Sequence, residues 1–322
     1  MRHFQRMRPR MFGIAYRMLG SRADADDIVQ EAWLRWSDGA APESFASVDA
    51  WLVTIVTRLC IDRLRGAKQE REDYVGPWLP EPLITQAADS PEMRLELLND
   101  VSTAFLLMLE RLGPEERAVF LLHDIFDFDY PDLAAIVGKN EAACRQLLHR
   151  ARERAQTDKQ RFTVAPSVHL DLLGKFAAAM HSNDRALMAS LFTPDALFSG
   201  DGGGKALAVM RIVQGAERIA RFFADFAARH PQIALQPGTV NGLPGLIGTV
   251  DGKVDTVMSL GFEGDRISGV YIGAQPGQAC ACRDGIAVRL TELLYSKAYT
   301  SCPATSSCFA RQTTPARNPS AP

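Results

Sequence analysis

SRADADDIVQEAWLRW, residues 21–36, packs a helix start, an apolar face and an acidic face into one short stretch. Ser21 followed by Asp24 is a helix-opening pattern. A side-chain oxygen accepts from free backbone N–H groups, and a carboxylate sits at the positive end of the helix dipole. Ala25, Ile28, Val29, Ala32, Trp33 and Trp36 recur at helical spacing and predict one buried face. Asp27, Gln30, Glu31 and Leu34 share the opposite side. A merely solvated face has little reason to carry Leu34 among carboxylates, whereas an apolar anchor ringed by charge suits a protein partner. Taken alone, the helix reads better as a surface element with one stray leucine; the segments that follow reverse that.

Working outward, the 322-residue chain is long enough for two or three domains, each with its own core. Its 47% apolar and 23% charged residues fit an ordinary globular protein. No run approaches the roughly 18 uncharged apolar residues of a membrane span. The N-terminus, MRHFQRMRPRMFGIAY, lacks the long apolar region and cleavage site of a secretory signal. A cytoplasmic location without membrane contact is therefore expected. Cys60 and Cys144 fall inside helical patterns as small core residues. Cys280, Cys282, Cys302 and Cys308 lack the paired spacing of a zinc site, so neither metal nor cofactor is expected.

The charge pattern bears on nucleic acid. Residues 1–161 hold 22 basic residues against 26 acidic ones, yet residues 139–161 hold seven basic against three acidic. Because phosphate neutralisation supplies most duplex affinity, such a chain should bind DNA weakly alone and tightly when a partner holds it.

A second helix is predicted over 48–68, VDAWLVTIVTRLCIDRLRGAK, with Trp51, Leu52, Ile55, Val56, Leu59 and Cys60 buried. Arg58, Arg63, Arg65, Lys68 and Arg71 emerge toward its C-terminal half. Cations there complement the helix dipole, and their density also suits a groove gripping a single strand. A Pro-rich stretch, YVGPWLPEP at 74–82, then predicts a stiff extended linker. Trp78 and Leu79 have no local core to enter, so docking on a neighbouring domain is expected.

Residues 91–112 predict one amphipathic helix, and Pro114 opens another at its favoured first-turn position. FDYPDLAAIVGKNEAACRQLLHRARERA then reads as a helix-turn-helix, with Gly138 as a left-handed cap and Asn140 capping the second helix. Ala143, Cys144, Leu147, Leu148 and Ala151 face inward, leaving Arg145, Gln146, His149, Arg150, Arg152 and Arg154 outward. Arg and Gln near the start of a second helix are the side chains that pair with base edges, with further arginines on phosphates.

These residues carry a resemblance to the extracytoplasmic-function class of sigma-70 family initiation factors. DADDIVQEAWLRW resembles the region 2 helix that docks on the beta-prime clamp of core RNA polymerase, which implies Asp27, Gln30, Glu31 and Leu34 as polymerase contacts. WLVTIVTRLCIDRLR resembles the helix that contacts the minus-ten element, implying Arg58, Arg63, Arg65 and Lys68 on DNA. Residues 104–155 resemble region 4, which reads the minus-thirty-five element, implying Arg145, Gln146, His149, Arg150 and Arg152 there. Promoter DNA and core polymerase are the implied partners.

From Ala165 the pattern changes. A helix at 167–184 leads to the strand-like LMASLFTPDALFSG at 187–200, the turn DGGGK at 201–205, a helix at 215–230 and alternating strands to about 273. This predicts an α+β domain with a curved antiparallel sheet. It resembles the SnoaL-like cone fold. Sigma factors with this extension typically also carry a WLP linker and a DGGGK turn, here Trp78, Leu79 and Pro80 and Asp201, Gly202, Gly203, Gly204 and Lys205. Because Trp78 and Leu79 lack a local core and three glycines let another backbone approach closely, the linker is expected to dock around this turn as a regulatory contact. The family's usual closing Asn-Pro-Asp-Lys-like motif is replaced by Ala274–Gln278, AQPGQ, and the Pro/Ser/Thr-rich tail beyond is expected to be largely disordered.

The cone fold also hosts acid–base enzymes, and Asp195, Asp201, His181 and His230 are available. Asp201 opens a Gly-rich turn, where an aspartate bonds its own backbone, and the histidines sit at helix ends without evident partners. No catalysis is expected; a small-molecule ligand remains open. The expected architecture is two all-α domains followed by an α+β SnoaL-like domain: region 2 at 1–73, linker 74–90, region 4 at 91–160, regulatory domain 165–274 and tail 275–322. The expected function is polymerase-dependent promoter recognition with a built-in regulator. The alternative is a DNA-binding regulator fused to a sensor or cone-fold enzyme, which would need no acidic docking face at 21–36.

Overall fold

The computed structural model describes residues 2–38, 47–72, 78–84, 102–156, 166–201, 212–229 and 233–273. The first half is helical: α1 (Arg2–Leu19), α2 (Arg22–Ser37), α3 (Val48–Glu72), α4 (Thr103–Leu109), α5 (Pro114–Asp124), α6 (Tyr130–Val137) and α7 (Glu141–Gln156). Ser21 caps α2 by accepting from the Asp24 N–H, as its pattern predicts. Asp129 caps α6, Gly138 ends it at φ 70°, and Asn140 caps α7, accepting from the Ala143 N–H at 2.8 Å. The expected helix over 91–112 does not run through: Ser102 is extended, and its hydroxyl accepts from the Phe105 N–H, so α4 starts at Thr103. A serine side chain competing for backbone N–H groups favours such a cap over a helix interior. Residues 91–101 lie outside the described residues.

The two helical regions share a core. α1–α3, linker residue Leu83 and α4–α7 contribute to a single continuous apolar cluster that includes Cys60 and Cys144. Arg117 on α5 is 2% exposed and crosses this boundary, donating to the Met18 carbonyl of α1 at 2.6 Å and to Glu110 at 2.7 Å. Arg10 stacks over Phe126 and Phe128 on the same seam.

The C-terminal half is α+β. It comprises α8 (Pro166–His181), α9 (Arg185–Ser190), β1 (Phe192–Asp201), β2 (Val213–Gln214), α10 (Ala216–Arg229), β3 (Ala234–Val240), β4 (Leu243–Val250), β5 (Lys253–Glu263) and β6 (Arg266–Gly273). Two expectations are corrected. Leu187–Ser190 are helical, because Asp184 caps α9 by accepting from the Leu187 N–H, so the strand begins only at Phe192. The sheet, ordered β2-β1-β6-β5-β4-β3, is mixed: β1 and β6 run parallel, the other neighbours antiparallel. Asn241-Gly242 and Asp251-Gly252 turn the β3–β4 and β4–β5 hairpins with positive φ at both positions, the geometry that suits the strand twist. Between helices and sheet, Phe176, Phe192, Phe198, Phe222 and Phe223 meet largely edge to face in a second core. Among the described residues no helix is long and apolar enough to cross a membrane.

Candidate nucleic-acid interface

On α2 the two faces separate as the spacing predicts. Ala25, Ile28, Val29 and Ala32 are buried, and Trp33 and Trp36 pack half-buried against the core. Asp27 and Gln30 are exposed, Glu31 is half-exposed and accepts from Arg35, and Leu34 remains 45% exposed among them. The apolar anchor and its polar ring stand together on one open face.

The second helix of the helix-turn-helix, α7, buries Cys144, Leu147, Leu148 and Ala151. Its outer face places Arg145, Gln146, His149 and Arg150 around a shallow groove of about 370 Å³. Arg145 is held over the Tyr130 ring at 4.9 Å and paired with Glu141 at 2.7 Å, so its guanidinium is oriented before any ligand arrives. Arg152 is placed differently. It makes a two-pronged contact to Asp124 on α5, at 3.0 and 2.5 Å. Burial works to raise the Asp124 pKa, but hydrogen bonds from Arg152 and His123 outweigh it and hold the carboxyl below its ordinary value. Arg152 is therefore committed inside the domain, and Arg150 and Arg154 both approach Glu116.

The α3 arginines are also engaged within the protein. Arg58 donates to the Ile136 and Ala135 carbonyls at 2.9 Å each, capping the C-terminal end of α6. Arg63 donates to Asp24 at 2.6 Å. Arg65 donates to Glu115 at 2.7 Å, and Lys139 reaches the same carboxylate at 3.1 Å. The Lys68 side chain lies outside the described residues. The cations expected to meet DNA from region 2 thus face region 4 or α2.

The linker segment 78–84 is sandwiched. On one side Trp78 packs on Gly20, where φ is 70° and an added Cβ would lie 2.7 Å from the indole. The Glu81 N–H donates to the Gly20 carbonyl at 2.7 Å, and its carboxylate accepts from the Arg22 N–H at the start of α2. Burial raises the Glu81 pKa, against the lowering effect of that backbone contact. On the other side the buried Leu79 donates its N–H to the Asp201 carboxylate at 2.8 Å. Pro82 packs on Gly273, and Ile84 bridges to Val240 at the edge of the sheet. Asp201 is thus not simply a self-bonded turn residue, as its Gly-rich context suggested; it ends β1 and reaches the linker. Pro80 is buried between the two sides, while Gly202, Gly203, Gly204 and Lys205 lie outside the described residues.

Asn241 was not singled out from the sequence. Its Oδ1 accepts from the Leu83 N–H at 2.7 Å, and its Nδ2 donates to the Thr103 hydroxyl at 3.1 Å. The Asn-Gly turn was a legible hairpin signal, but its long-range partners left no local trace.

Of the residues weighed for catalysis, Asp195 and His181 are exposed, and His230 lies outside the described residues. His169 is buried against the Phe262 ring at 4.1 Å, and burial lowers its pKa. A groove of about 610 Å³ lies at the ends of α8, α10 and β3, lined mainly by apolar side chains including Met180, Phe226 and Leu235, with His181 and Asn183 at its rim. Among the described residues no cluster of three or more His, Cys, Asp or Glu side chains is placed to hold a metal. The tail beyond Gly273, with its four cysteines, lies outside the described residues.

Residues 3–70 match the family described as Sigma-70 region 2, and residues 102–154 match Sigma-70, region 4. The ECF RNA polymerase sigma factor SigJ of Mycobacterium tuberculosis (strain ATCC 25618 / H37Rv) is 39% identical over 259 residues, 76% of this chain and 82% of that protein. The probable ECF RNA polymerase sigma factor SigI of the same strain is 30% identical over 265 residues, 82% of this chain and 89% of that protein. The crystal structure of Mycobacterium tuberculosis SigJ matches with a TM-score of 0.70 at 33% identity, covering 85% of this chain and 96% of that one.

Proposed function

The chain belongs to the extracytoplasmic-function sigma factors of the sigma-70 family, and from that premise we propose that its C-terminal domain is a built-in regulator that clasps the two sigma regions through the linker. The protein binds core RNA polymerase and directs promoter-specific transcription initiation. The observation that carries the regulatory proposal is the buried hydrogen bond from the Leu79 N–H to Asp201. It ties the linker between regions 2 and 4 to the C-terminal domain.

The clasp matters because of geometry. The minus-ten and minus-thirty-five elements are roughly 25 base pairs apart, about 85 Å of duplex at the B-form rise. Region 2 and region 4 here touch through Arg58 and Arg65, so the closed arrangement does not span both elements. Opening frees Arg58 and Arg65 for the minus-ten DNA. Arg145, Gln146, His149 and Arg150 read or hold the upstream element from α7, and Asp27, Gln30, Glu31 and Leu34 dock on the beta-prime clamp. This activity belongs in the cytoplasm, where polymerase works.

The C-terminal domain acts by contact rather than catalysis, a reading supported by the linker N–H of Leu79 that occupies Asp201, one of the carboxylates weighed for acid–base chemistry. A small apolar ligand in the 610 Å³ groove is the second reading, favoured by its lining. Promoter-dependent transcription by the full chain, compared with Asp201→Ala and Trp78→Ala, tests the regulator. Altered output with unchanged core binding supports it; unchanged output from both variants leaves the domain a passenger.

A further inference from the structure

Asn241 opens the β3–β4 turn at φ 51°, followed by Gly242 at 74°. Asparagine tolerates that left-handed conformation better than most residues, which accounts for its presence in a hairpin turn. It does not account for its burial. Turn tips normally face water, yet Asn241 is 2% exposed.

Its side chain and backbone N–H are engaged by three different parts of the chain. The backbone N–H donates to the Leu83 carbonyl at 2.8 Å. Oδ1 accepts from the Leu83 N–H at 2.7 Å, and because that group can only donate, the amide orientation is settled. Nδ2 then donates to the Thr103 hydroxyl on the first turn of α4. The Tyr16 hydroxyl of α1 lies 3.1 Å from Oδ1 and 2.5 Å from the Glu81 carbonyl, so Oδ1 takes the weaker branch of its one proton. Burial pushes the Tyr16 pKa far up, which keeps the phenol a donor.

Tyr16 belongs to region 2, Leu83 to the linker and Thr103 to region 4. We propose that Asn241 is the positioning residue that sets the register in which the C-terminal domain holds regions 2 and 4 together. The inference rests on the regulator reading but names a node distinct from the Leu79–Asp201 clasp. Apolar packing tolerates sliding, whereas an amide with fixed donors and acceptors in a dry site accepts one register. Withdrawing one partner leaves buried polar groups unpaired, so the node favours releasing all its segments together.

Two variants of the full chain test this, read by amide hydrogen exchange. Asn241→Gly keeps a residue suited to positive φ and removes the side chain; Tyr16→Phe removes the hydroxyl from the other side. In both, the Leu83 amide and the amides of α6 at the Arg58 contact should exchange about three- to tenfold faster, the effect of losing one net hydrogen bond, while β4–β6 stay protected. Unchanged exchange at these sites in both variants overturns the proposal. So does loosening of β4–β6 in Asn241→Gly with Tyr16→Phe silent, because Asn241 is then only a hairpin residue. Asp201→Ala, assayed by transcription, separates the two levels. Altered transcription with silent node variants leaves the regulator standing without the node. Transcription unaltered by all three variants overturns the regulator, while seam exchange still decides whether Asn241 sets the register.

Discussion

Arg65 of α3 donates to Glu115 of α5 at 2.7 Å, across the seam between region 2 and region 4. Lys139, in the turn of the helix-turn-helix, holds the same carboxylate at 3.1 Å. One glutamate thus occupies a cation from each DNA-reading region, much as a phosphate would. Burial works to raise its pKa, but Lys139 and Arg65 outweigh it and keep Glu115 ionised to lower pH than usual. Glu115→Gln should therefore tighten promoter binding and steepen its salt dependence by about one to two released counterions. Fluorescence anisotropy across a salt series measures both; an unchanged slope would mean that neither cation reaches DNA.

Opposite pH behaviour is expected at Glu115 and Glu81. Glu115 has a lowered folded pKa, so the stability it contributes above the ordinary carboxylate value is lost as pH falls through the folded one. Glu81 has a raised folded pKa. Its contribution is present below the ordinary value and is lost as pH rises through the folded one, so at neutral pH its charge weakens linker docking. Thermal unfolding of Glu81→Gln at pH 7 should show a higher midpoint than the parent, with the gain vanishing near pH 4. A lower midpoint at pH 7 would mean that the carboxylate contact to the Arg22 N–H outweighs burial.

Leu34→Ala and Glu31→Lys should each weaken binding to core polymerase, by about 1–3 kcal/mol for a central apolar anchor. Leu34 is 45% exposed, so the fold should change by no more than about 0.5 kcal/mol. Core affinity equal to the parent in both variants would remove the docking role from this face.

Arg145→Ala and Arg152→Ala should separate recognition from architecture. Arg145 is pre-oriented by Tyr130 on the open face of α7, so its loss should relax one promoter position at a cost of about 1–3 kcal/mol. Arg152 is spent on Asp124, so its loss should destabilise region 4 by about 1–3 kcal/mol and leave base preference unchanged. Promoter selection and denaturant unfolding, run side by side, distinguish them; altered base preference in Arg152→Ala would return it to the DNA face.

What could be read from the chain was what local rules govern. The caps at Ser21, Gly138 and Asn140 and the 3.6-residue spacing on α2 and α7 act within one turn, so those elements and their exposed faces were legible. The start of β1 was misplaced because apolar Leu187–Leu191 fits either period, and Asp184 decided for a helix. The parallel β1–β6 pairing, Arg58 on α6, Arg152 on Asp124 and the whole environment of Asn241 depend on partners distant in sequence. For Arg58, Arg63, Arg65 and Arg152 in particular, an outward place on one helix proved to include a hydrogen bond to a neighbouring element.

Because α1–α3 and α4–α7 share one apolar cluster, parting them wets hydrocarbon that neither half can cover alone. Freshly hydrated hydrocarbon carries a large positive heat capacity, so the balance between closed and parted forms must curve with temperature. Any parting of the seam would therefore carry a temperature dependence of its own, apart from any chemical signal.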